Sequence, residues 1–389
     1  MEGILCRNCL KQSKGKEGKE IPVAVSSCGN CGLVYYCSRD CQRKDWDFHK
    51  ADCKTSSKKQ EAVPVWKDMA KFSVVKLTSH NPEEQQEEFA RLFPALSTLG
   101  CVLLTDFPDF AKQFYREFAE RSQQNMDSNV FPNVPSKREI EQGSYLYSLE
   151  GIPYCGKSRR FVRFAGELVE HITDVTQSAF LGPASADHPL YKRKEPLTNG
   201  AFTYMKSLPK RMLRQGGHLD GSILTLVTPV LQVQDEKREN YVSNNLGLQC
   251  FNIDHNKFEQ VQLHPGDMVL LAGRGALKMT RTWIVPCPHR VITQACQASR
   301  MSMVCSSSFG DNLHRKDADL CDFDKHGRRP GVPMEVQKRL AENKSMWEEA
   351  SQRVQNYKWL QPSSVNDTYV TLVDVMAEEV DDFKVLELD

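Results

Sequence analysis

His218-Leu-Asp-Gly-Ser-Ile-Leu-Thr-Leu226 decides how the larger part of this chain is read. Side chains on a strand alternate between faces, so His218 and Asp220, two residues apart, are presented together. The apolar run that follows, Ile223-Leu-Thr-Leu-Val-Thr228, reads as a buried strand. An imidazole and a carboxylate on one face are two thirds of a two-His-one-carboxylate facial triad, the donor set that leaves positions open on non-haem iron(II). The third donor has to arrive from a later strand, and His289, in Pro288-His-Arg-Val291, is the candidate.

Around this stretch, from about 202 to 308, short strands are separated by Gly and Pro turns, which indicates a sandwich or barrel. Gly247-Leu-Gln249, Pro265-Gly-Asp267, Leu270-Leu-Ala-Gly273, His289-Arg-Val291 and Arg300-Met-Ser302 follow in that order. With His218-Leu-Asp220 they resemble the 2-oxoglutarate- and iron(II)-dependent dioxygenases of the isopenicillin-N-synthase-like branch. The resemblance covers residues 200–309 closely. Phe72 to Asp109, with Leu99-Gly-Cys-Val-Leu-Leu104, is similar more loosely to the family's amino-terminal segment.

That resemblance implies a double-stranded β-helix (jelly roll) with flanking helices, and iron held by His218, Asp220 and His289. It also implies that 2-oxoglutarate chelates the metal through its 2-oxo acid end, with its far carboxylate held by Arg300 and Ser302. A guanidinium fork suits a carboxylate. Tyr204 stands where the family places a tyrosine on the same carboxylate, although Tyr-Met-Lys-Ser-Leu-Pro209 departs from the usual Tyr-Tyr-Pro-Pro. The 69 residues from Asp220 to His289 exceed the branch's usual spacing, and Asp235 to Asn245 reads as an inserted polar hairpin loop. The implied chemistry is hydroxylation or demethylation.

A second constellation fills the amino terminus: Cys6-x2-Cys9, Cys28-x2-Cys31, Cys37-x3-Cys41 and His49-x3-Cys53. Eight Cys or His ligands complete two tetrahedral zinc sites with no open position, so the zinc is structural. Spacing alone leaves sequential and interleaved pairings open. Gly32-Leu-Val-Tyr-Tyr-Cys-Ser38 and Gln42-Arg-Lys-Asp-Trp-Asp-Phe-His49 make the segment resemble the MYND-type zinc finger. The resemblance implies interleaving, with Cys6, Cys9, Cys37 and Cys41 on one zinc and Cys28, Cys31, His49 and Cys53 on the other. It also implies a protein partner, with packing on its own chain as the plainer alternative.

The organisation expected is therefore a mixed α+β protein: finger 1–53, linker 54–66, oxygenase domain 67–310 with its core at 200–309, and a helical extension with an acidic tail at 311–389. Phe72-Ser-Val-Val-Lys-Leu77 reads as a strand, and Glu83 to Phe93 as a helix ended by Pro94. Residues 111–180 read as helix and loop. Pro333 opens a helix with Val336, Leu340, Trp347, Ala350 and Val354 on one face. Among other candidates, His255 and His264 read as loop histidines and Arg274, Arg281 and Arg290 as surface residues. Trp283, Cys250, Cys287, Cys296 and Cys305 read as core.

A net charge of +1 gives no basic surface for nucleic acid. No apolar run suggests a membrane span, and no export signal is seen; with reduced thiols, this places the chain in cytosol or nucleus. Two rivals stand beside the dioxygenase reading. One is a protein hydroxylase like the oxygen-sensing prolyl hydroxylases, which also pair such a finger with an oxygenase barrel. The other is a non-catalytic adaptor on the same fold.

Overall fold

A computed structural model of the 389-residue chain describes residues 13–14, 20–21, 26–54, 64–128, 144–148, 157–182, 200–205, 212–230, 247–264, 266–280, 283–293, 300–308, 332–357 and 360–362. The inserted loop at 235–245, the acidic tail, Cys6, Cys9, Arg281 and Cys296 lie outside these residues.

The finger contains two small hairpins, β1 (Ser13–Lys14) with β2 (Glu20–Ile21) and β3 (Ser26–Ser27) with β4 (Tyr35–Tyr36), followed by helix α1 (Arg39–Lys54). Strand β5 (Val65–Trp66) then pairs in parallel with β13 (Lys257–Val261), so the end of the expected linker is part of a sheet. Trp66 explains this, since its side chain is buried in the core.

The stretch expected to be one strand from Phe72 divides into β6 (Lys71–Ser73) and a single helical turn, α2 (Val74–Leu77). Ser73 is the reason: its hydroxyl accepts from the Lys76 N–H, an N-cap that turns the chain. Helix α3 (Pro82–Leu99) starts at an Asn81 cap and runs through Pro94, against expectation. The missing N–H removes one helical bond. Phe93 and Leu96, on either side of Pro94, are fully buried, and their packing outweighs that loss. The helix stops at Gly100, whose φ of +70° is left-handed. A Cβ there would also lie 2.5 Å from the Val285 carbonyl oxygen, so Gly100 lets two segments touch.

Strand β7 (Cys101–Thr105), helix α4 (Asp109–Ser128), strand β8 (Ser144–Ser148) and helix α5 (Lys157–Leu181) follow; β8 is a strand within the region read as helix and loop. Then come β9 (Gly200–Met205), β10 (Met212–His218), β11 (Leu224–Val230), β12 (Leu248–Asn252), β13, β14 (Met268–Ala272), short helix α6 (Arg274–Met279), β15 (His289–Thr293) and β16 (Arg300–Ser307). The carboxyl-terminal helix is two helices, α7 (Met334–Glu342) and α8 (Lys344–Asn356). Asn343 breaks it by capping α8 through the Met346 N–H, while all five residues expected on the apolar face are buried.

The strands form a seven-stranded sheet, β6-β7-β14-β11-β16-β9-β8, and a five-stranded sheet, β10-β15-β12-β13-β5. Both are antiparallel except at the β6–β7 and β13–β5 pairs. Alternation sorts the side chains. On β14, Met268 and Leu270 join a core with helices α3, α4, α5, α7 and α8, while Val269 and Leu271 join a core between the sheets. The described residues hold no helix long and apolar enough to cross a membrane.

Candidate metal centres

The structure brings His218, Asp220 and His289 together, one ligand atom from each lying within 4.8 Å of the others. His218 Nε2 is 3.5 Å and His289 Nε2 3.6 Å from the same carboxylate oxygen, Asp220 Oδ1. The ring centroids of the two histidines are 4.2 Å apart. The histidines are cross-strand partners, since His218 ends β10 opposite His289 at the start of β15. From Gln215 to His218 the register shifts against Val291 to His289, a bulge at Gly216-Gly217. Bulges re-aim side chains, and this one sits where His218 has to turn toward Asp220. Side-chain exposure falls from 33% at His218 through 22% at Asp220 to 7% at His289, so the cluster opens on the His218 side.

Each donor is prepared for a cation. Burial alone would raise the pKa of Asp220, but the hydrogen bond from His218, the charges of both histidines and the Thr225 hydroxyl bring it down to about 2. The Thr225 hydroxyl is also 2.6 Å from that of Ser222. His289 Nδ1 lies 3.2 Å from the Cys287 carbonyl, which can only accept; Nδ1 therefore carries a proton, and Nε2, toward Asp220, is the nitrogen a metal would take. The turn carrying Asp220 is held by the next loop: Arg274 N–H donates to the Asp220 carbonyl at 2.8 Å and Gly275 N–H to the Ser222 carbonyl at 2.8 Å. A Cβ on Gly273 would stand 2.2 Å from the Ser222 carbonyl oxygen, so this approach requires glycine. Sequence reasoning assigned no role to Ser222, Thr225 and Gly273, although all three lie inside the quoted motifs.

Ser302 is buried on β16. Met303 and Cys305 face the helical core and Val304 packs against the intersheet core, so alternation places Ser302 on the intersheet side. The Arg300 backbone pairs with Met205, and that of Tyr204 with Met301. His255 and His264 sit apart from the triad, each on its own carboxylate, Glu259 at 3.0 Å and Asp267 at 3.2 Å. Arg290 is not a surface residue. It is buried, donates to Gln249 Oε1 at 2.7 Å and covers the Phe258 ring at 4.1 Å.

In the finger, Cys28, Cys31, His49 and Cys53 converge with ligand atoms within 4.8 Å of one another, all buried. Cys37 and Cys41 are not in that group and form a second pair, their sulfurs 3.5 Å from each other. The finger also packs on strands β10 and β15. Leu33, Val34 and Tyr36 form one apolar cluster with Leu213 of β10 and Ile292 of β15.

Residues 6–53 match the MYND finger family model, so the chain carries a MYND-type zinc finger, a protein-interaction module. A SET and MYND domain-containing protein of Dictyostelium discoideum is 49% identical over 55 residues, 14% of this chain and 9% of that protein. The N-lysine methyltransferase SMYD2-B of Danio rerio is 33% identical over 51 residues, 13% of this chain and 10% of its own length. The chain thus spans about a tenth of the length of the curated relatives it matches.

Among solved structures, a dioxygenase for auxin oxidation in rice aligns with 67% of this chain and 90% of its own, at 16% identity and a TM-score of 0.42. A full-length Neurospora crassa protein, solved in complex with alpha-KG and 5-formyluracil, aligns with 72% of this chain and 99% of its own, at 14% identity and a TM-score of 0.41.

Proposed function

We propose that the chain is an iron(II)- and 2-oxoglutarate-dependent dioxygenase that hydroxylates or demethylates its substrate. The observation that carries this reading is the triad: two imidazoles and one carboxylate directed at a common point, open on one side. That donor set suits ferrous iron with positions left free. The strand order adds support for a jelly roll. Strands β9 to β16 contribute β14-β11-β16-β9 to one sheet and β10-β15-β12-β13 to the other, and all but β12 and β13 alternate between sheets along the chain.

His218, Asp220 and His289 would hold iron(II), and Arg300 and Ser302, with Tyr204, would hold the far carboxylate of 2-oxoglutarate. The bound pair supplies oxidative decarboxylation of the cosubstrate to succinate, coupled to oxidation of a substrate C–H bond. The chain's residues do the rest. Thr225 and the loop at Gly273 keep Asp220 ionised and oriented, the Cys287 carbonyl orients the His289 ring, and the intersheet core walls off the His289 side. Two structural zinc ions would complete the finger, Cys28, Cys31, His49 and Cys53 holding one and Cys6, Cys9, Cys37 and Cys41 the other. A partner protein would meet the finger on a face other than Leu33-Val34, which β10 and β15 cover.

The adaptor reading lacks the lost ligand expected of it. Anaerobic addition of iron(II) and then 2-oxoglutarate tests the proposal by the visible charge-transfer band of the chelate. The band is expected in wild type and not in His218→Ala or Asp220→Ala. Its absence from wild type would leave the adaptor.

A further inference from the structure

Three cysteines outside both centres converge on one point. Cys101, Cys250 and Cys287 have sulfurs within 4.8 Å of one another, and their exposures are 0%, 0% and 1%. They come from three separate elements: the first residue of β7, the middle of β12, and the segment before β15. The backbone pins each one. Cys101 pairs with Leu271, Cys250 with His289, and Cys287 N–H donates to the Ala272 carbonyl at 3.0 Å. Phe251 N–H donates to the Pro288 carbonyl at 2.8 Å, tying the last two segments together. Trp66, Met69, Leu103, Val269 and Leu271 belong to the same apolar cluster.

Cys305 shows how a buried cysteine sits when it only fills space. It is the one cysteine among the described residues of the helical core, with its thiol toward the Val162 carbonyl at 4.0 Å. The trio is different, because three soft donors from both sheets face one another with no oxygen or nitrogen donor in the group.

We propose that Cys101, Cys250 and Cys287 form a further metal site, a three-sulfur nest for a soft monovalent ion, copper(I). Sulfur ligands select copper(I) and zinc over harder ions. A structural zinc site is almost always closed by four donors, and this group supplies three. Three thiolates around copper(I) would leave two net negative charges in an apolar core, where unpaired charge is costly. Keeping one sulfur as a thiol halves that to one net negative charge, and uptake releases two protons, one from each sulfur that becomes a thiolate. Full burial shields the thiols from bulk oxidants, since reactive cysteines are the partly exposed ones.

The test uses the full chain with its finger loaded with zinc and no iron, incubated anaerobically with copper(I) in acetonitrile and a weak competing chelator. One copper is expected to bind without zinc release. X-ray absorption at the copper edge should show three sulfur neighbours at about 2.3 Å, a metal–thiolate distance. Cys250→Ala and Cys287→Ala, each checked for native circular dichroism, should both lose that copper, while Cys305→Ala keeps it. Copper taken up only with zinc release, or retained in folded Cys250→Ala and Cys287→Ala, would overturn the site. So would a wild type that binds none.

Discussion

The backbone N–H of Leu213 donates to the carbonyl of Leu33 at 3.0 Å, a bond that ties the zinc finger to the strand ending at His218. Leu213 also faces Ile292 across the β10–β15 ladder, and the same ladder ends at the His218–His289 pair. The two faces of β15 therefore serve two centres. Ile292 packs on the finger, while Val291, one step away, and His289, three steps away, belong to the other face. Truncating Leu213→Ala removes a buried contact and should cost about 2–4 kcal/mol. Thermal unfolding should register that loss, and iron(II) titration of the folded variant should show weaker binding. Unchanged iron affinity at reduced stability would mean that the finger only sits beside the centre.

Thr225→Val keeps the shape of the side chain and removes the hydroxyl that helps hold the Asp220 pKa down to about 2. Loss of such an outer partner typically costs about 10–100-fold in metal affinity. The same range is expected here, read by iron(II) competition titration, with the fold unchanged by circular dichroism.

Gly273→Ala places a methyl group 2.2 Å from the Ser222 carbonyl oxygen, which must then move together with the turn that carries Asp220. Overpacking of this kind costs about 1–3 kcal/mol. Metal affinity and the unfolding midpoint should fall together, whereas Gly266→Ala, strained at φ +90° but remote from that turn, should lower only the second.

His171 gives a pH dependence of defined sign. Burial pushes its pKa from 6.5 down to about 4, and the charge of Arg353 adds to the effect. Its Nε2 lies 3.0 Å from the Leu77 carbonyl, which accepts its proton. In the unfolded chain the ring takes up a proton as pH falls through 6.5, but in the folded chain it stays neutral to about 4. The unfolded state binds more protons over this window, so stability is full above pH 6.5 and declines toward pH 4 by about 3 kcal/mol. Urea unfolding at several pH values should show this slope in wild type and a shallower one in His171→Gln.

The residues that could hold iron and zinc were legible because ligand chemistry leaves fixed spacings. His218-x-Asp220 predicts a shared strand face; the structure brings both residues to one point differently, because β10 ends at His218 and Asp220 lies in the turn beyond it. The strand Leu224–Val230 was legible from the apolar run Ile223-Leu-Thr-Leu-Val-Thr228. What escaped was decided by tertiary packing. Pro94 signalled a helix end, but buried neighbours on both sides carried the helix onward. Arg290 carried the default of a surface charge, and only the fold brings Gln249 and Phe258 to it. The three cysteines are 149 and 37 residues apart in sequence, so no local spacing could have paired them.

Succinate formation is the most direct test of the central claim. Wild-type protein, loaded with iron(II) under anaerobic conditions and given 2-oxoglutarate, should release succinate when air is admitted, and His218→Ala and Arg300→Ala should not. Equal succinate from wild type and both variants, or a wild type that binds neither iron(II) nor 2-oxoglutarate, would contradict the dioxygenase assignment.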